Sequence, residues 1–126
     1  MGKRVQAYYG AGLTTMTIPN GTTAAIQSNK ISNVSGVHQG QICGYKITAG
    51  DCTNAVTFTL EILDPDGDSI YSLAAIAKNA QKVLFGLNLP LIEGEKIQLT
   101  PSGDPGSDWE FTGIYIYYYP DSFFRL

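Results

Sequence analysis

The chain has 126 residues, a formal net charge of -3, 15% charged and 44% hydrophobic residues. That is one domain's worth of sequence, long enough to bury about two-thirds of the surface its unfolded form exposes, so folding needs neither a disulfide nor a metal staple. The basic residues Lys3, Arg4, Lys30, Lys46, Lys78, Lys82, Lys96 and Arg125 stand singly apart from the first two, which is no stripe for tracking a phosphate backbone, and nucleic acid is not expected as a partner.

MGKRVQAYYG opens the chain with basic residues but no apolar run behind them, and no later stretch is apolar for long enough to span a bilayer. The expectation is a chain made in a cytoplasm, without a signal peptide and without a membrane partner. Within the opening, Val5, Tyr8 and Tyr9 are apolar residues close to one end. LTTMTIP and ICGYKIT follow as strand candidates, each bounded by turn-forming residues. Between them GVHQGQ is a polar, glycine-flanked loop around the single His38, and no serine sits in a nucleophile-elbow pattern. A hydrolytic triad is therefore not expected. Cys43 and Cys52 enclose a short loop with no CxxC spacing, and reduced, apolar thiols are expected rather than a disulfide, a zinc site or a thiol nucleophile.

Period-two alternation dominates the middle of the chain. VTFTLEIL puts Val56, Phe58, Leu60 and Ile62 on one face and Thr57, Thr59 and Glu61 on the other, the pattern of a half-buried antiparallel strand. DPDGDSIY then sets Asp64, Asp66 and Asp68 around Gly67. As a calcium loop it fails, because the glycine and the distal glutamate are missing from the positions the geometry requires. As a hairpin turn every residue is explained, with Asp64 first, Pro65 supplying its fixed φ, and Gly67 free to adopt the left-handed conformation. No metal is expected. SIYSLAAIA is read as the return strand of that hairpin, although Leu73, Ile76, Ala77 and Ala80 also have helical spacing. KVLFGLNL and EKIQLT are further strands, the latter with Ile97 and Leu99 inward. Glu93, Glu95 and Glu110 are read as surface charge, since nothing pairs two of them for glycosidic chemistry.

The closing WEFTGIYIYYY carries Trp109, Phe111, Gly113, Tyr115, Tyr117 and Tyr119 at odd positions and Glu110, Thr112, Ile114, Ile116 and Tyr118 at even ones. A strand on the outside of a sandwich should keep one polar face, and the second half of this one has none. Three readings stay open: a strand covered on both sides, a face that meets another chain, or a platform for stacking on sugar rings. DSFFRL, with Phe123, Phe124 and Leu126 beyond Pro120, is too short to fold on itself and is expected to dock. The fold class that follows is all-β: one antiparallel β-sandwich domain over 1–126, of jelly-roll or Greek-key type, with roughly seven to nine short strands.

Over residues 54 to 119, through VTFTLEILDPDGDSIY, LPLIEGEKIQLTPSGDPGS and the aromatic strand, the sequence resembles small virion structural proteins of tailed bacteriophages, in particular capsid decoration or cement proteins. The resemblance implies a non-enzymatic β-sandwich without cofactor or catalytic residues. It also implies a homo-oligomer, with a trimer favoured, that binds the major capsid protein across capsomers on the virion surface after assembly in a host cytoplasm. Docking arms at about 1–9 and 120–126 follow from the same likeness. The expected interface residues are Val5, Tyr8, Tyr9, Tyr115, Tyr117, Tyr119, Phe123, Phe124 and Leu126. The alternative reading is a carbohydrate-binding or adhesin module that uses the same aromatic face.

Overall fold

The structure is a computed structural model that describes residues 8–36 and 39–120. Val5, His38, Phe123, Phe124 and Leu126 lie outside the described residues. The strands are β1 (Tyr9–Gly12), β2 (Met16–Ile18), β3 (Ile26–Gln27), β4 (Gln39–Ala49), β5 (Thr57–Leu63), β6 (Ser69–Ala77), β7 (Gln81–Ile92), β8 (Lys96–Pro101) and β9 (Trp109–Pro120), with one short helix, α1 (Ile31–Ser35), between β3 and β4.

One sheet runs β1-β9-β4-β7, with β2 also pairing with β9, and the other runs β3-β8-β5-β6. All pairings are antiparallel. β1 and β2 both lie along β9, where Gly12 faces Tyr115 and Met16 faces Phe111, so they are two halves of one interrupted strand. Counted that way, the order is that of two interlocked Greek keys folded into a jelly roll. The expected β-sandwich is thereby narrowed to one of its two expected forms.

Alternation in the sequence becomes alternation in burial. Along β5 Phe58, Leu60 and Ile62 are buried and Thr57, Thr59 and Glu61 are partly exposed, while β8 buries Ile97 and Leu99. SIYSLAAIA is strand β6, because the turn before it hands the chain directly to the edge of β5 and pairing wins over the helical spacing. In that turn the Gly67 N–H donates to the Asp64 carbonyl at 2.9 Å, and Gly67 has φ 89. The Asp64 carboxylate is engaged by its own loop, accepting from the N–H groups of Asp66 at 3.0 Å and Asp68 at 2.8 Å. α1 had no counterpart in the sequence reading. It is a single turn closed by Gly36 at φ 69, whose N–H donates to the Ser32 carbonyl at 3.0 Å.

The core joins the sheets through aromatic contacts. The Phe58 ring of β5 meets Trp109 at 5.5 Å and Phe111 at 4.9 Å, both edge-on. The indole N–H of Trp109 donates to the Gly50 carbonyl at 2.9 Å, and the Asn79 N–H donates to the same oxygen at 3.1 Å. This one acceptor ties the end of β9 to the β6–β7 connection.

β9 corrects the single odd-numbered face read from the sequence. Trp109 and Phe111 point inward, but so do Ile114, Ile116 and Tyr118. The phase changes where Lys46 pairs with Tyr115 but Thr48 pairs with Thr112, leaving one extra residue in β9 at Gly113, φ 57. This is a bulge with glycine in the left-handed position, and it inverts the facing of every side chain beyond it. The β1–β2 interruption lies opposite, where the Leu13 N–H donates to the Ile114 carbonyl at 2.7 Å.

β6 has a comparable bulge between the Phe58/Ile76 and Leu60/Leu73 pairs, but there the left-handed residue is Ala75, φ 60. Ala75→Gly is expected to stabilise the fold by ~0.5–1 kcal/mol, the relief of a left-handed alanine less the added entropy of the unfolded chain. Gly113→Val is expected to cost about 1–2 kcal/mol or more. Urea denaturation of the two variants checks these opposite signs.

Candidate interaction surface

Because β9 changes phase at Gly113, the outer face of the first sheet has two halves. Beyond Trp109 and Phe111 the outward residues are polar, with Glu110 paired to Thr17 and Thr112 paired to Thr48. Past the bulge they are Tyr115, Tyr117 and Tyr119. Two cross-strand rows build that second half. One runs Gly10, Tyr117, Gly44, Phe85 across β1, β9, β4 and β7, and the next runs Gly12, Tyr115, Lys46, Val83.

Glycine alternates with large rings in the first row for a steric reason. A β-carbon on Gly10 would lie 3.2 Å from the Tyr117 ring, and one on Gly12 would lie 3.1 Å from the Tyr115 ring. On Gly44 it would meet the Phe85 ring at 2.9 Å and collide with the Leu84 carbonyl oxygen. The rings thus lean over bare backbone. Without a side chain at Gly44, Phe85 and Tyr117 stack across β4 at 4.9 Å between centroids, and Tyr8 closes the group at 5.2 Å from Phe85 and 5.5 Å from Tyr117. Tyr115 lies parallel to Tyr117, 7° between planes and 6.2 Å apart.

Among the described residues the exposed large apolar side chains are Tyr8, Tyr9, Val83, Phe85, Ile92 and Tyr115, from 37% to 51% accessible. All belong to the first sheet or to the residue leading into it, and the second sheet contributes none. The exposed apolar side chains are thus concentrated on one of the two sheets rather than scattered over both. Lys46 brings the charge in the two rows. The Tyr117 hydroxyl is held above its usual range by burial, then by its neighbours Tyr8 and Tyr115.

Of the residues expected at an interface, the structure gathers Tyr8, Tyr115 and Tyr117 on this face, and Tyr119 lies half-buried at its end opposite Gln41. Tyr9 is instead part of β1, paired with Tyr118 and stacked on it at 6.0 Å, which places it on the inner side of the sheet at its edge. Val5, Phe123, Phe124 and Leu126 lie outside the described residues. The sequence reading missed Phe85, Val83 and the three glycines. Their signal was present in KVLFGLNL, where Val83 and Phe85 alternate, and in YYGAG, where Gly10 and Gly12 share one face beside two tyrosines.

Elsewhere the chemistry is sparse. Cys43 and Cys52 are free and buried, and burial pushes both thiols up. Among the described residues no three His, Cys, Asp or Glu side chains gather as a metal ion would require. An open groove lies between β2 and β3, lined by Thr14, Thr15, Met16, Gln27 and Ser28, with no ionisable group among them.

No protein-family profile matches the chain, and no curated protein matches it. Similar solved chains include one in the structure of the infectious bursal disease virus Gt strain, 10% identical with a TM-score of 0.48, covering 90% of this chain and 32% of that one. Another, in the crystal structure of the T13 infectious bursal disease virus particle, is 11% identical with a TM-score of 0.45, covering 90% and 31% respectively. The Gx strain of the same virus has one at 14% identity and a TM-score of 0.39, covering 93% and 30%. The chain spans about a third of the length of each of these proteins.

The inside–outside assignment of β9 has a direct check. Tyr115→Ser is expected to change unfolding free energy by under about 1 kcal/mol, whereas Ile116→Ser, one residue on but buried, should cost about 3 kcal/mol or more. Denaturant titration of both variants measures the difference.

Proposed function

We propose that this chain is a non-enzymatic structural protein of a phage particle, a capsid decoration or cement protein that docks through the aromatic face of its first sheet. The observation that carries the reading is the gathering of exposed Tyr8, Phe85 and Tyr115 around half-buried Tyr117 in one group of rings on the outer face of one sheet. The resemblance of residues 54 to 119 to such proteins supports it, and so does the jelly roll, an architecture recurrent in viral shells and in lectins.

The energetics favour many weak contacts over one strong one. A half-exposed aromatic side chain offers about 100 Å² of further burial, so the face offers on the order of 500 Å² and roughly 12 kcal/mol of gross transfer free energy. Association itself costs about 4–15 kcal/mol. One copy would therefore hold weakly, and a symmetric oligomer engaging several equivalent sites would gain occupancy through effective concentration. A homo-oligomer, with a trimer favoured, spanning capsomer junctions uses the face in that way. Each contact then resists separation of the capsomers it bridges.

Tyr117→Asp tests the reading, because a carboxylate at the centre of the face would be desolvated without a partner on docking. The expected result is a folded protein by circular dichroism that no longer co-sediments with empty capsids and has a reduced oligomer mass by light scattering. Unchanged mass and unchanged capsid binding would contradict the proposal. Unchanged mass with loss of glycan retention would favour the carbohydrate-binding alternative. Tyr115→Asp, at a more exposed position of the same face, repeats the test should the first variant fail to fold.

A further inference from the structure

Glu95, expected at the surface, is wholly buried. It lies between β7 and β8, where the chain crosses from one sheet to the other. Its Oε1 accepts the Ile92 N–H at 3.0 Å, while Oε2 is buried with no hydrogen-bond partner. Two neighbouring elements clamp the same turn. The Ile31 N–H at the head of α1 donates to the Glu95 carbonyl at 2.9 Å, and Gly94, φ 99, is set so close to the 64–68 hairpin that a β-carbon there would lie 3.0 Å from Cβ of Pro65.

The charge acting on the carboxyl from the hairpin is Asp64, which opposes ionisation. Lys30 precedes Ile31 on the α1 side, and Glu93 and Lys96 flank Glu95 in its own turn. None of these supplies a partner to Oε2. Burial first, then Asp64, pushes the carboxyl up to about 7 from 4.5, against the pull of the Ile92 N–H.

We propose that Glu95 is a proton-operated latch on the β7–β8 crossover, which holds that end of the sandwich closed when neutral and loosens it when ionised. The position gives the latch its consequence. Ile92 pairs with Gln39, and the adjoining Gly40 pairs with both Leu91 and Pro120, so the latch borders the end of β9 from which residues 121–126 continue. The device is separate from the aromatic face, and the inference does not rest on the assembly reading. Because the folded value lies above the unfolded one, folding takes up a proton. The stabilisation is complete below pH 4.5 and is lost as pH rises through about 7.

Glu95→Gln keeps an acceptor for the Ile92 N–H and cannot ionise. Between pH 5 and 8 the folding equilibrium of the wild type is expected to fall about tenfold or more relative to that of the variant. Protection of the Ile92 and Ile31 amides against hydrogen exchange should decline with pH in the wild type and stay level in the variant. Parallel pH profiles for the two proteins would overturn the proposal. If the variant does not fold, the carboxyl carbon of Glu95 followed by NMR in the wild type decides the matter. A midpoint near neutrality supports the latch, and one in the ordinary carboxylate range overturns it.

Discussion

At Gly113 the backbone of β9 turns to φ 57 and one additional residue enters the strand against β4. Without that bulge a period-two strand would keep Trp109, Phe111, Tyr115, Tyr117 and Tyr119 on a single side. With it, Trp109 and Phe111 fill the space against Phe58, while Ile114, Ile116 and Tyr118 fill the remainder of the sheet's inner side. The strand opposite breaks into β1 and β2 at the same level. Tyr115, Tyr117 and Tyr119 are left outside. The core and the candidate docking face are thus two results of one backbone conformation.

The outer face is shaped as much by missing side chains as by those present. Gly10, Gly12 and Gly44 lie under or beside rings, and aromatic cover of a glycine in a strand recovers burial that the glycine itself does not supply. The same arrangement brings Phe85, Tyr117 and Tyr8 into mutual contact, so the rings are partly ordered before any partner arrives. Pre-ordering lowers the entropic cost of association. In the oligomer proposed above, that would let a face of moderate area hold.

Much of this architecture was legible in the sequence. β5 and β8 could be read because one face of each packs on the core, so burial and alternation coincide. The 64–68 hairpin was equally clear, since proline and glycine each fix a backbone angle locally. β9 was misread because strict alternation has no place for an inserted residue, although a lone glycine inside an apolar strand is the sign of one. Val83 and Phe85 join the face only through the register of β4 with β7, and register is a property of the sheet that no single strand carries. Glu95 looked like surface charge because its burial comes from three separate elements, α1, the β7–β8 turn and the 64–68 hairpin, converging in space.

Tyrosine-directed chemical footprinting of the chain in the particle proposed for it, against the isolated chain, tests the central claim most directly, since it reads the outer face itself. Tyr8, Tyr115 and Tyr117 are expected to react in the isolated chain at high dilution and to be protected in the particle, while fully buried Tyr45 stays unreactive in both. Equal reactivity of Tyr115 and Tyr117 in the two states would contradict the assignment of this face to assembly.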